Sequence, residues 1–148
     1  MNLPASDVAE FLLEKTLMGN STGVLGGTAD WSLFTEREPP TPNRSITVFS
    51  LPQGVENTTS RGRTKTMELV GVQFRVRGAS DAEVWGVLEA IRDLIENKGF
   101  STDPDSNGTY VRYKNFTVSL GPVNLGRTQN QFAVWVVTCK SLREQRLG

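Results

Sequence analysis

The chain has 148 residues, sixteen basic and sixteen acidic, so its formal charge at pH 7 is zero. That length suits a single core burying about 70% of the unfolded surface, and the cancelled charge supplies no global field toward nucleic acid or membrane. Histidine is absent and Cys139 is the sole cysteine, which excludes Ser-His-Asp and Cys-His nucleophile systems, nearly all catalytic zinc sites and an intrachain disulfide.

Met1-Asn2-Leu3-Pro4 lacks the charged start and long apolar core of a signal peptide. No apolar run approaches the ~20 residues that span a bilayer. The first predicted helix runs from Pro4 to about Met18, with Asp7 and Glu10 as a candidate capping box. Val8, Phe11, Leu12 and Met18 share one face, while Leu13 and Leu17 lie on the opposite side. A helix apolar on two sides must be covered on both. Either a loop folds over it or a second subunit does, which makes Leu13 and Leu17 candidate subunit contacts. Gly19 to Gly27 is glycine-rich but lacks the Gly-Lys-Ser/Thr ending of a phosphate loop, and no hydrophobic strand precedes it. It reads as a connector.

Trp31 to Glu36 is a short predicted strand, stopped by Pro39-Pro40-Thr41-Pro42. Ile46 to Leu51 is a second, closed by Pro52-Gln53-Gly54. The polar stretch 52–66 has no periodic apolar face and reads as a long mobile loop, a class usually functional or disordered. Within it Arg61, Arg63 and Lys65 alternate with Gly62 and Thr64, and no acidic residue lies between Asn57 and Met67. These three cations are candidate contacts to an anionic partner.

The sharpest boundary follows. From Leu69 the period is two: Val70, Val72, Phe74 and Val76 on one face, Gln73, Arg75 and Arg77 on the other. Gly78-Ala79 ends it, and Ser80-Asp81-Ala82-Glu83 reads as a capping box. Val84, Val87, Leu88, Ile91, Leu94 and Ile95 then take helical spacing, with Gly99 where a left-handed cap is expected. The outer side of this helix carries Gly86 and Ala90 one turn apart. A mid-helix glycine costs about 1 kcal/mol against alanine, so Gly86 is either an unselected surface residue or the seat of a close neighbour.

Asp103 and Asp105 flank Pro104 before Asn107-Gly108, which is turn chemistry; a calcium loop would need a terminal Glu at the right offset, and none follows. Thr109 to Leu120 alternates only in part and suggests two short strands, with Gly121-Pro122 opening a loop. Arg112 and Lys114 beside Tyr110 and Tyr113 come nearest to a nucleic-acid surface of cations and stacking aromatics. Gln131 to Lys140 is the last strand, with Phe132, Val134 and Val136 on one face and Ala133, Trp135, Val137 and Cys139 on the other. Apolar on both sides, it belongs in the middle of a sheet. These elements predict an α+β fold over residues 1–148, one domain. Its mixed, mostly antiparallel sheet carries a long amphipathic helix packed on one face and an N-terminal helix. No catalytic, cofactor or metal site is expected.

The order of elements, with Val72-Gln73-Phe74-Arg75-Val76-Arg77-Gly78 before the helix and Leu125-Gly126-Arg127 before Gln131 to Val137, resembles the tail terminator proteins of long-tailed bacteriophages. These are also called minor capsid or tail completion proteins. The resemblance covers nearly the whole chain. It departs at Thr128, where such proteins often carry an acidic residue, and in the stretch 52–66. It implies a non-enzymatic virion protein of the neck, assembled in the host bacterial cytoplasm. Members form rings, commonly hexamers, that cap the tail tube and join it to head-completion or stopper proteins, with DNA passing non-specifically through the lumen and no membrane involved. Alternatives are another neck component, a connector or stopper, and a small nucleotide-binding enzyme subunit using the Gly-rich segment.

Overall fold

The computed structural model describes residues 3–16, 31–38, 40, 44–51, 58–59 and 66–146. Among them run α1 (Pro4–Thr16), β1 (Ser32–Thr35), β2 (Ser45–Leu51), β3 (Thr58–Thr59), β4 (Thr66–Gly78), α2 (Asp81–Ile95), β5 (Phe100–Ser101), β6 (Tyr110–Arg127) and β7 (Ala133–Arg146). The class is α+β. One mixed sheet has the order β1-β2-β4-β7-β6-β5, with β3 paired to β4 beside that path. β1 and β2 are parallel and the other strand pairs antiparallel.

The period-two pattern of β4 sets the core. Val76 and Phe74 lie opposite Ile46 and Val48 of β2, and Phe74 and Val72 opposite Val137 and Cys139 of β7. All are buried on one side of the sheet, where Val84, Leu88 and Ile91 of α2 and Ala5, Val8 and Leu12 of α1 complete the same cluster. Each Val, Leu, Ile or Phe among them contributes roughly 1.5–3 kcal/mol by leaving water. β7 lies between β4 and β6, a central place that suits its two apolar faces.

Helix α2 has fifteen residues, so at 1.5 Å per residue it is about 22 Å long, shorter than the span expected from Ser80 to about Asn97. Most of the described residues lie in strands. Ser80 Oγ accepts from the Glu83 N–H at 3.2 Å, and Glu83 Oε2 accepts from the Ala79 N–H at 3.1 Å. The capping box therefore closes one residue earlier than its usual reciprocal bond. At the other end Asn97, not Gly99, takes the left-handed turn, with φ 58°. Gly99 serves a close approach instead, since a Cβ there would lie 2.2 Å from the Tyr113 carbonyl oxygen.

Three other expectations are corrected. Asp7 does not cap α1; it is buried and accepts from Tyr113, while the Ala5 N–H donates to Ser50 Oγ of β2 at 3.0 Å. The stretch 52–66 is not loop throughout, because Thr58–Thr59 pairs with Thr66 and Met67 and β4 begins at Thr66; residues 52–57 and 60–65 lie outside the described residues. Finally, Gly121-Pro122 does not end a strand. β6 runs through it for eighteen residues, taking up the surplus residues as register shifts between Lys114 and Gly126. Gly121, with φ 106°, supplies backbone freedom that a bulge needs. The turn at Asp105 is as expected: its carboxylate accepts from the Asn107 and Thr109 N–H groups at 2.8 and 2.9 Å.

Candidate interface at the ends of strands 4, 6 and 7

Three strand ends meet beside the first turn of α2. Gly78 of β4 pairs with Ala133 of β7, and Ala133 with Arg127 of β6. The C-terminal ends of segments 72–78 and 125–127 thus flank Ala133 at one corner. Gly78 is required there because a Cβ would fall 2.9 Å from Val84 and 3.0 Å from Trp31.

The capping turn at Ser80 aims Asp81 across the strand ends. Its Oδ1 accepts from Trp135 Nε1 at 2.9 Å, and its Oδ2 lies 3.7 Å from Arg127 Nη2. Arg127 Nη1 also donates to the Gln131 carbonyl at 2.9 Å, which fixes the turn from β6 to β7. With both partners about half exposed, the Arg127–Asp81 pair is worth about 0–1 kcal/mol; it orients more than it stabilises. One turn along α2, Trp85 meets Trp135 edge to face, ring centroids 5.5 Å apart at 76°. Trp85 is nevertheless 42% exposed. Tryptophan and arginine together on a surface are the residue types that dominate binding energy at protein interfaces.

A second polar construction runs from the core to its margin. Tyr113 donates to Asp7 Oδ2 at 2.5 Å, and Arg143 Nη2 donates to Glu68 Oε2 at 2.5 Å. Tyr113 and Arg143 are cross-strand neighbours, and Phe100 stacks between Tyr113 and Phe11 of α1. This network holds α1 to the sheet.

Of the contact candidates singled out in the sequence, only Gly86 and the backbone of Leu13 lie among the described residues. Leu13 lies in α1, but its side chain, and all of Leu17, Arg61, Arg63 and Lys65, fall outside the described residues, as does the Gly-rich segment. Gly86 is half-buried beside Trp85. Ala90, read as outward, is half-buried and packs against the core. Arg112 and Lys114 line a cleft of about 420 Å³ with Lys98 and Tyr110. Lys114 is engaged by the buried Glu144 at 2.9 Å, and Tyr113 is buried with Asp7, so no exposed stacking platform forms from the two tyrosines. Trp85, Asp81 and Arg127 escaped the sequence reading as a unit. The available signal was a large aromatic at position 85, off the apolar stripe of its helix.

Among the described residues no group of three His, Cys, Asp or Glu side chains is placed to hold a metal ion, and no helix is long and apolar enough to cross a membrane. No protein-family model and no curated protein matches the chain.

Proposed function

We propose that this chain is a structural neck protein of the tail-terminator kind, whose copies assemble into a ring that caps a tail tube and joins it to head-completion proteins. One observation carries the reading: the C-terminal ends of the segments Val72 to Gly78 and Leu125 to Arg127, far apart in sequence, lie on either side of Ala133 of β7 at one corner of the sheet. That corner presents the exposed Trp85 against Trp135, whose indole bonds Asp81, the ion-pair partner of Arg127, a surface suited to a protein partner rather than to a small substrate. A ring fits a single copy with two unlike contact patches, the arrangement that closes head to tail. DNA would then pass through the lumen without base-specific contact, and the tube protein and the stopper would occupy opposite rims.

The test is light scattering of the purified protein together with negative-stain imaging. Closed rings that cap the ends of purified tail tubes are the expected result. Monomers at every concentration, with no binding to tubes, overturn it. Rings that bind isolated heads but not tubes would assign the chain to a connector or stopper instead.

A further inference from the structure

β6 is eighteen residues long, yet on its outer side β5 pairs with only Arg112 and Tyr113. The last contacts on that side are the Phe116 N–H to the Lys98 carbonyl and the Asn97 N–H to the Phe116 carbonyl, at 3.1 and 2.7 Å. From Thr117 to Arg127 no strand among the described residues lies along this edge. Monomeric proteins commonly blunt such an edge with charge, but no charged residue occurs between Lys114 and Arg127.

The outer part of this edge is closed in other ways. Pro122 has no N–H to offer, and Asn124 Oδ1 takes the Gly126 N–H at 2.7 Å. What stays open is the window 117–120, Thr-Val-Ser-Leu, which one register shift between Val118 and Leu120 interrupts, with Leu120 60% exposed. The opposite edge of the same sheet is β1, Ser-Leu-Phe-Thr, also four residues, also uncharged, and bearing no strand on its outer side among the described residues.

We propose that residues 117–120 of one copy receive β1 of the next copy as an added strand. Main-chain hydrogen bonds supply the attraction in such additions, and side chains select the partner. The occupant is a second copy because the two edges left open among the described residues match in length and in lack of charge; a charged strand laid on this window would lose water without gaining a counter-ion. The two edges lie at opposite ends of one sheet, so the contact is heterologous and repeats from copy to copy. It closes into a ring or continues as a filament according to the rotation between copies. The inference deepens the ring reading and rests on it for closure alone.

The experiment uses two full-length variants, Thr35→Cys and Thr117→Cys, both at exposed positions, mixed with a short bis-maleimide; Cys139 is buried and the parent protein serves as control. Cross-linked pairs in the mixture, and not in either variant alone, are expected. Leu120→Lys should abolish them, leave circular dichroism unchanged, and turn slow amide exchange at residues 117–120 fast. Cross-linking of Thr117→Cys with itself, or parent rings without the mixed product, overturns the edge contact, the latter leaving the ring reading intact. Mixed products that grow into open filaments uphold the contact and overturn the ring. Protected amides at 117–120 in a monomer mean that the chain's own segment covers the edge, and they also overturn it.

Discussion

Replacing Tyr113 by Phe tests whether the buried polar network holds α1 to the sheet. Tyr113 is 1% and Asp7 4% exposed, so the change would leave the Asp7 carboxylate short of a donor with little water to replace it. Hydrogen bonds to charged groups are worth about 1.5–3 kcal/mol net, and a loss of about 2 kcal/mol would lower Tm by roughly 4–8 °C in a domain of this size. Urea unfolding followed by circular dichroism, with an unchanged m value, reads it directly. The pH profile gives a second readout. Burial, and then the Asp7 hydrogen bond, push the Tyr113 hydroxyl well above its ordinary value of 10.0. Well below pH 10 Tyr113 is protonated in both states and its full contribution to stability is present. As pH rises past 10 only the unfolded chain releases the proton, so stability falls, with a limiting slope of about 1.4 kcal/mol per pH unit. Tyr113→Phe should remove that slope. A separate loss beginning near pH 9 should persist, because burial raises the Cys139 thiol from 9.0 to about 12. A destabilisation under ~0.5 kcal/mol at pH 7, with the alkaline slope intact, would refute the network's role.

Leu88→Ala and Ile91→Ala remove fully buried side chains of α2 and should each cost about 2–5 kcal/mol in urea unfolding; less than ~0.5 kcal/mol at both would mean the helix does not seal the core. Replacing Leu13 and Leu17 together by Asp should leave a folded monomer and abolish rings in light scattering, while persisting rings would move these residues to the intrachain core or another surface. Replacing Arg61, Arg63 and Lys65 by Ser should preserve the ring yet weaken joining of tails to heads. A six-fold ring would repeat these cations to about eighteen on one rim, which makes the joining salt-dependent; normal yields of infectious particles would return the segment to an ordinary loop.

What the sequence disclosed and what it hid divide along physical lines. The β4 pattern, the Ser80 cap and the α2 stripe were legible because each is local, written in residues within a few positions of one another. Asp7 misled because its partner, Tyr113, lies 106 residues away, and a carboxylate near a helix start looks the same whether it caps or enters the core. Gly99 misled because two demands call for glycine, a left-handed turn and a close approach, and only the fold tells which one applies. The corner of Arg127, Asp81 and Trp135 was hidden for the same reason: its members come from three elements, and only the strand register brings them together.

The misreading of β6 bears on function. Residues 109–127 looked like two short strands and a loop because glycine, proline and bulged positions break the alternation, yet the ladder to β7 carries the chain through every interruption. Local signals that disagree with the global fold mark places where a sequence answers to a demand other than its own folding. Here the disagreement coincides with an uncharged edge, an exposed Leu120 and the Leu125-Gly126-Arg127 segment that ends at the tryptophan corner. A monomer gains nothing from keeping charge out of the four open edge positions, 117–120. A protein whose copies must add strand to strand does, because one charge in that window would have to be stripped of water at every joint of the assembly.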